Sequence, residues 1–210
     1  MCTQTTRNGS ATRAQRGFTL MELMVVLAVV GVIMGLAVPN FGVYIRNSRL
    51  TGAANDLLAS ITLARTEAIK RQVPVAVCAT ADPNEPTPNC SGGPFTAWVV
   101  WVDADNDWIP DNNVNEPVLD RHPVLDASLT VQSDNDGRVK YLFTGFAAPI
   151  SGGITPTANI AMCDDRGTAP TVAGVSAARA LRIAATGRPR VTKDQAEVDT
   201  TLAVIGEACP

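Results

Sequence analysis

The chain has 210 residues, of which 46% are hydrophobic, and carries 20 acidic and 17 basic side chains for a formal net charge of −3. This length accommodates a long helix and one globular domain, and it excludes a second full domain. The only histidine, His122, leaves no Ser/His/Asp arrangement, and no C-x-x-C pair occurs, so we expect neither an enzyme nor a zinc site or other cofactor.

The first predicted element is an apolar helix at residues 18–39. Residues 18–38 contain no Lys, Arg or Pro and one acid, Glu22. A helix of this length extends roughly 30 Å, the thickness of a bilayer core, so the segment is predicted to span a membrane. A carboxylate inside hydrocarbon costs about 2.5–3.5 kcal/mol on insertion scales, which indicates that Glu22 has a partner there.

A short, polar and basic leader, residues 1–17, precedes the apolar run G-F-T-L-x-E-L. This arrangement resembles the class III leader of type IV pilins and type II secretion pseudopilins. The resemblance implies that a prepilin peptidase cuts after Gly17 and that Phe18 becomes a methylated N-terminus. It also implies that Glu22 pairs with the N-terminal amine of a neighbouring subunit and that Pro39 bends the helix. A plain signal anchor with a Glu near the membrane surface is the alternative.

The same resemblance implies a location. Such a protein crosses the inner membrane once before assembly and then joins other pilins in a periplasmic or extracellular filament. Removing the leader takes three of the 17 basic residues and none of the 20 acids, so the mature chain is more acidic than the precursor. An average charge of that sign argues against a nucleic-acid partner.

Cysteine usage indicates an oxidising compartment. Loss of the leader removes Cys2 and leaves an even set of four cysteines: Cys78, Cys90, Cys163 and Cys209. Three pairings are possible. Cys78–Cys90 with Cys163–Cys209 is favoured, since one bond then closes a short Pro-rich loop and the other the C-terminal tail.

Residues 40–72 are predicted to continue the helix in amphipathic form. Apolar residues recur every three or four positions, which places them on one stripe that we expect to pack on a sheet. The stripe consists of Leu50, Ala54, Leu57, Ile61, Ala64 and Ala68. Pro74 ends the pattern, so the helix is predicted over residues 18–72.

The remaining residues, 73–210, are predicted to form a β-rich head. The fold class is therefore α+β, type IV pilin-like, with the long helix packed on an antiparallel sheet or sandwich. Trp98 and Trp101 lie three positions apart on one strand and should face opposite sides. Asn135, Asp136 and Gly137 have the composition of a hairpin turn. Strands are predicted at residues 73–80, 95–102, 117–119, 129–132, 139–143, 159–162 and 180–184.

Acidic residues dominate one stretch of the head: residues 82–136 contain 11 acids and a single base. Asp103, Asp105, Asp107 and Asp111 alternate as calcium-loop ligands do. The EF-hand pattern nevertheless fails at its sixth and twelfth positions, where Trp108 and Val114 stand. We therefore expect Asx-rich turns that join two strands and no metal, while calcium binding by residues 103–111 stays an open alternative.

Basic residues dominate a later stretch: residues 166–193 carry six bases and no acid. The runs C-D-D-R-G at 163–167 and G-R-P-R at 187–190 are similar to the GspH/FimT family of minor pilins and pseudopilins. In the FimT branch the G-R-x-R run binds DNA. The resemblance implies that this run binds DNA here as well, and arginine contacts to the phosphate backbone of double-stranded DNA would be independent of its sequence. The predicted DNA-binding residues are Gly187, Arg188, Arg190, Lys193, Arg182 and Arg179.

Three functions share the N-terminal helix and remain open at this point. The protein is a minor pilin that binds DNA for uptake, a purely structural minor pilin that starts assembly at or near the pilus tip, or a pseudopilin of a type II secretion system. In the second and third cases the arginines keep the end of a strand in contact with solvent, or they form ion pairs with acidic residues of the same or a neighbouring subunit. The basic segment discriminates between them.

Overall fold

The computed structural model describes residues 17–90, 92–148 and 157–209, apart from the side chains of residues 36–40. Residues 1–16 of the predicted leader and the side chain of Pro39 therefore lie outside the described part. The chain forms two compact units, Met1–Tyr44 and Ile45–Pro210. The first unit contains the start of the long helix, and the second contains the rest of that helix and the head.

Helix α1 extends over Leu20–Arg71, within two residues of the predicted range. Pro74 follows three residues later, where its ring prevents the helix from continuing. Within the described residues, nine strands and one short helix complete the head. They are β1 Val75–Ala79, β2 Trp98–Val102, β3 Val118–His122, β4 Thr130–Ser133, β5 Arg138–Tyr141, β6 Ala158–Cys163, β7 Pro170–Val172, β8 Val175–Ile183, β9 Pro189–Asp194 and α2 Gln195–Ile205.

The strands form two antiparallel sheets. The first has the order β3-β2-β1-β5 and the second the order β4-β6-β8-β7, with β9 also paired to β8. Strands β1, β2 and β6 are buried along their whole length, which matches their continuous apolar sequences. The prediction of an α+β fold with an antiparallel sheet on a long helix is confirmed.

The predicted stripe of α1 lies in the main core. All six of its residues are at most 1% exposed, and they pack with apolar side chains from both sheets. Strands contribute Val77 and Trp98 from the first sheet and Ile160 and Leu181 from the second. One helix therefore covers one face of each sheet, which is why its apolar positions continue over five turns.

The two tryptophans of β2 do face opposite sides. Trp98 lies in the main core, where its ring stacks on His122 with centroids 3.7 Å apart. Trp101 lies in a second cluster with Cys78 and Cys90. The structure joins Cys78 to Cys90 and Cys163 to Cys209, the pairing that the sequence favours.

The turn at residues 134–137 is present, but the predicted hairpin is wrong. Strand β4 belongs to the second sheet and β5 to the first, so the turn joins two sheets instead of two paired strands. The Gly137 carbonyl accepts a hydrogen bond from Ala79 N–H at 2.8 Å, and the Asp134 carboxylate accepts two hydrogen bonds from Asn159. These contacts fix each side of the turn to a different sheet.

Three elements were not predicted: β7, β9 and α2. Helix α2 begins after Asp194, whose side chain accepts a hydrogen bond from Glu197 N–H, and ends at Gly206 with φ of 81°. Val198 and Leu202 of α2 pack on Ala178 and Ala180 of β8. The second sheet is thus covered by α1 on one face and by α2 on the other.

Candidate functional site

The N-terminal end of α1 carries the predicted processing and assembly residues. Thr19 Oγ1 accepts a hydrogen bond from the backbone N–H of Glu22 at 3.2 Å, and the two residues have the spacing of a capping box. A carboxylate in the first turn also interacts favourably with the helix dipole. Glu22 therefore has a local role in starting the helix, and its pairing with a neighbouring subunit stays a prediction.

The first compact unit exposes large apolar side chains along its described length. Phe18 is 83% exposed and Val32 is 66% exposed. Among the described residues, no helix is both long enough and apolar enough to cross a membrane. The predicted span at residues 18–39 extends into residues 36–40, whose side chains are not described, so it stays a prediction. Exposed apolar surface of this extent is typical of a contact surface.

The second sheet divides the basic residues of 166–193 into two groups, since successive residues of a strand face opposite sides. Arg179, Leu181 and Ile183 of β8 face the side of α1, whereas Ala178, Ala180 and Arg182 face the side of α2. Arg190 is paired with Arg182 across β8 and β9. The sequence places all these residues in one run, but the sheet separates them.

Arg179 and Arg166 lie on the side of α1 and have structural partners there. Arg179 Nη1 donates to the backbone carbonyls of Ala177 and Ala178 at 3.0 Å, and Nη2 donates to Thr51 Oγ1 at 3.3 Å. Burial lowers the pKa of Arg179. The Arg179 guanidinium is therefore engaged within the fold, on the side of the sheet away from Arg182, and its contact with DNA stays a prediction.

Arg166 belongs to the C-D-D-R-G run. Its guanidinium forms an ion pair with Asp164 and donates to Asn47 Oδ1 of α1 at 2.9 Å. Burial would raise the pKa of Asp164, but hydrogen bonds from Arg166 lower it overall. Arg46 of α1 pairs with the neighbouring Asp165 at 2.8 Å. This run therefore fastens the helix to the second sheet.

The other group lines an open groove at the end of the β8–β9 hairpin. Arg182, Arg188 and Arg190 all contribute to its wall, with Glu197 of α2 at one side. Arg190 forms an ion pair with Glu197, and Arg182 Nε donates to Asn159 Oδ1 at 3.3 Å. The Arg188 side chain is exposed, and its guanidinium has no hydrogen-bond or ion-pair partner among the described residues; its backbone carbonyl accepts a hydrogen bond from Ala184 N–H at 3.2 Å. We call Arg182, Arg188 and Arg190 the arginine cluster.

Gly187 determines the shape of this hairpin. It has φ of +77°, and a Cβ there would lie 2.0 Å from the carbonyl oxygen of Gly145. Arg65 of α1 holds the two loops together, donating to the carbonyls of Gly145 at 3.0 Å and Thr186 at 3.1 Å. The hairpin that carries Arg188 is therefore fixed to α1, and Arg65 is a positioning residue that sequence reasoning missed.

Lys193 lies outside the arginine cluster. It is exposed on β9 but three positions from Arg190, so the two side chains leave opposite faces of the strand. Glu197 was also missed, although the D-x-x-E spacing of Asp194 and Glu197 is a helix-start signal. Of the predicted DNA-binding residues, the structure brings together Arg182, Arg188 and Arg190, with Gly187 forming the turn.

The acidic residues after β2 form a second charged region. The expected Asx turns are present: Asp107 N–H donates to Asp105 Oδ1, and Ile109 N–H donates to Asp107 Oδ1. These turns join β2 to β3, which are paired. Two features of Asp103 were not expected: the residue is fully buried, and it forms an ion pair with the buried Lys140 of β5.

Comparison with known proteins identifies the family. The model of the family described as type II transport protein GspH matches residues 53–187, and that of the prokaryotic N-terminal methylation motif matches residues 12–38. The type IV major alpha-pilin of Moraxella bovis is 37% identical over 62 residues, which cover 30% of this chain and 39% of the pilin. The pilin-like protein PilA1 of Thermus thermophilus is 44% identical over 57 residues, which cover 27% and 35%.

The chain spans about two fifths or less of the length of these relatives. In structure, it resembles the type IV minor pilin FimU of Pseudomonas aeruginosa, with a TM-score of 0.47 and 19% identity over 71% of this chain and 92% of that chain. The GspH match covers more than half of the chain and ends at Gly187, one residue before Arg188. With its methylation motif and its long helix on antiparallel sheets, the chain belongs to the GspH family of pilin-like minor pilins and pseudopilins.

Proposed function

We propose that this protein is a minor pilin of a type IV pilus. Prepilin peptidase cuts after Gly17, Phe18 is methylated, and the protein waits in the inner membrane before it joins other pilins at or near the pilus tip. The methylation motif at residues 12–38 and the exposed apolar side chains of the first unit support this proposal. In the filament, Glu22 pairs with the N-terminal amine of a neighbouring subunit and Pro39 bends the helix.

We further propose that the head binds double-stranded DNA through the arginine cluster. The observation that carries this proposal is Arg188, an exposed guanidinium with no partner among the described residues, placed beside Arg182 and Arg190. Planar guanidinium groups donate paired hydrogen bonds to phosphate. Because Gly187 and Arg65 fix the hairpin, less side-chain and loop ordering is needed on binding.

Binding of this kind is electrostatic. Contacts to phosphate carry no sequence information, so affinity should be the same for unrelated duplexes and should fall steeply with salt. Each phosphate that an arginine neutralises contributes about 0.9 to the slope of log affinity against log salt concentration. Loss of two arginines should therefore reduce that slope by about two.

The test uses the full-length protein in detergent and a fluorescent duplex, with anisotropy measured at several salt concentrations. We expect the double variant Arg188→Gln/Arg190→Gln to lose at least tenfold in affinity at low salt. The control is Lys70→Gln/Arg71→Gln, which removes two exposed positive charges at the end of α1. Equal affinity of the Arg188/Arg190 variant and the wild type would refute DNA binding by this cluster.

A structural role is the second candidate, and the ion pair between Arg190 and Glu197 favours it. In a purely structural minor pilin or a secretion pseudopilin, these arginines contact the same head or a neighbouring subunit. Counting pili in cells that carry the double variant separates the two functions. Normal piliation with lost DNA uptake supports DNA binding, whereas lost piliation supports the structural role.

A further inference from the structure

The acidic region after β2 has a feature that the Asx turns do not explain. Asp103, Asp105 and Glu116 each contribute a carboxylate oxygen to one group, and these oxygens all lie within 4.8 Å of one another. Ligands of one calcium ion, each 2.3–2.6 Å from the metal, are separated by distances up to about 5 Å. We call these three residues the acidic cluster. Its spacing is that of oxygens around a single cation.

Two of these carboxylates are buried and incompletely bonded. Glu116 is 4% exposed, and its Oε1 accepts hydrogen bonds from Ala104 N–H at 2.7 Å and Asp105 N–H at 3.0 Å. Its buried Oε2 has no hydrogen-bond partner among the described residues. Asp103 is fully buried, and its Oδ1 likewise lacks a hydrogen-bond partner in the part of the chain that the structure describes. A buried carboxylate oxygen without a hydrogen-bond partner is costly, and a cation bound beside these oxygens would offset that cost.

The net charge of the acidic cluster also favours a bound cation. The acidic cluster carries three negative charges, and Lys140, whose ammonium pairs with Asp103, supplies one positive charge. Lys140 Nζ also donates to Asn106 Oδ1 at 2.7 Å, so its hydrogen bonds are shared with a neutral group. Among the described residues no other cation forms an ion pair with the acidic cluster, so two of its three carboxylates have no ion-pair partner. A divalent cation would balance them.

The chemistry of the ligands selects the ion. All the candidate ligands are oxygens, which favours a hard cation such as calcium or magnesium over zinc or copper. Three carboxylates on an irregular loop suit the flexible geometry of calcium better than the strict octahedron of magnesium. Asp105 is exposed, so solvent reaches the site from its side and water can complete the coordination.

We propose that Asp103, Asp105 and Glu116 bind a calcium ion that joins the start and the end of the β2–β3 connection. Glu116 stands 13 residues after Asp103, two positions beyond the glutamate of an EF-hand, which is why the EF-hand pattern fails at residue 114. This site is independent of the arginine cluster and of the proposed DNA binding.

Terbium luminescence tests the proposal in the full-length protein. Tb³⁺ occupies calcium sites and emits when a nearby tryptophan is excited. Trp108 is well placed as the donor, because Lys140 Nζ lies 3.9 Å from the centre of its ring and pairs with Asp103. We expect a saturable Tb³⁺ signal that Ca²⁺ abolishes by competition at lower concentrations than Mg²⁺ does.

Two variants remove ligands with little change of shape. Asp105→Asn and Glu116→Gln keep the acceptor oxygens that bond to backbone N–H groups, and each should weaken Tb³⁺ and Ca²⁺ binding at least tenfold. Asp111→Asn, an exposed acid of the same connection outside the acidic cluster, is the control and should bind within twofold of the wild type. Circular dichroism in a chelator checks that each variant is folded.

Thermal unfolding gives a second measurement that does not need Tb³⁺. Calcium should raise the Tm of the wild type and of Asp111→Asn relative to a chelator, and it should not raise the Tm of Asp105→Asn. The exposed Asp105 decides the result if Glu116→Gln does not fold. Absence of a Tb³⁺ signal, failure of Ca²⁺ to displace it, or wild-type affinity in Asp105→Asn would overturn the proposal.

Discussion

The acidic region and the arginine cluster of the head differ in how far their charged side chains are buried. In the acidic region, Asp103 and Glu116 are buried, and their partners come from a distant strand and from the backbone. In the arginine cluster, Arg182, Arg188 and Arg190 are exposed. The first region is part of the fold, whereas the second presents charge to solvent.

This difference teaches that a run of like charges in the sequence does not define a surface. The bases of residues 166–193 are divided by the second sheet, and only those on the α2 side form a cluster. Arg166 and Arg179 stabilise the contact with α1 instead. Burial decides whether a charge acts on stability or on binding, and the following variants test that rule.

The largest expected effect is on stability, at the buried ion pair. Lys140→Met leaves the Asp103 carboxylate buried without its cation, which costs about 3–5 kcal/mol of the free energy of unfolding. Urea denaturation in the presence of a chelator measures the change. Lys193→Met, at an exposed position, is the control and should change stability by less than about 0.5 kcal/mol. Equal stability of the two variants would contradict the rule.

The second effect concerns the hairpin that carries Arg188. Gly187→Ala imposes a positive φ on alanine and brings a Cβ against the Gly145 carbonyl, so we expect a loss of about 2–4 kcal/mol in stability and weaker DNA binding. Gly174→Ala has a similar φ of +75° with no atom within 4 Å of the new Cβ. The Gly174→Ala variant therefore measures the cost of the positive φ alone, which we expect to be about 1 kcal/mol. Identical losses in both variants would show that the close approach is unimportant.

Two further variants should have smaller effects, one on stability and the other on DNA affinity, and together they distinguish the two faces of the second sheet. Arg179→Gln removes hydrogen bonds to backbone carbonyls and to Thr51, so it should lower stability by about 1–2 kcal/mol and leave DNA affinity unchanged. Arg188→Gln should reduce DNA affinity several-fold and leave stability unchanged within about 0.5 kcal/mol. Thermal unfolding and anisotropy on the same preparations check both. The reverse pattern would place the binding surface on the α1 side.

The smallest effect is expected at Glu197. Its carboxylate competes with phosphate for Arg190, so Glu197→Gln should raise DNA affinity about twofold to fivefold. Asp199→Asn, an exposed acid of the same helix that contacts Gln195, is the control. An equal gain in Asp199→Asn and Glu197→Gln would mean that only the overall charge matters, since each variant removes one negative charge.

The effect of pH on the difference in DNA affinity between the wild type and Glu197→Gln can also be predicted. Hydrogen bonds from Arg190 and Thr192 lower the pKa of Glu197, so its carboxylate stays charged at neutral pH. The difference between wild type and Glu197→Gln should therefore persist down to the ordinary pKa of a glutamate and disappear only below it. Anisotropy at several pH values measures this limit. A difference that disappears near neutral pH would exclude Glu197 as its cause.

Much of the fold could be predicted because its signals are local. The stripe of α1 depends on helical periodicity, and the burial of Trp98 and Trp101 on opposite faces depends on strand alternation. The turn at residues 134–137 could not be judged in the same way. Its residues favour a turn, but contacts from Ala79 and Asn159 hold the strands before and after it in different sheets.

The same distinction between local signals and long-range contacts applies to the charged sites. The sequence identified Arg188 and Arg190 through a motif, Arg182 through its place in the same basic segment, and the alternating aspartates through their spacing. It could not pair Asp103 with Lys140 or bring Glu116 back to Asp105, because those contacts connect residues that are distant along the chain. Nor could it separate Arg179 from the arginine cluster, which requires the register of β8.

The sequence by itself determined the long helix, its apolar first half with Glu22, the α+β class and the family, because each depends on periodicity, composition or a contiguous motif. Only the tertiary structure decided which charges are buried and which face solvent. The physical reason is that periodicity orients a side chain relative to its own element, whereas desolvation and ion pairing depend on which other elements pack against it.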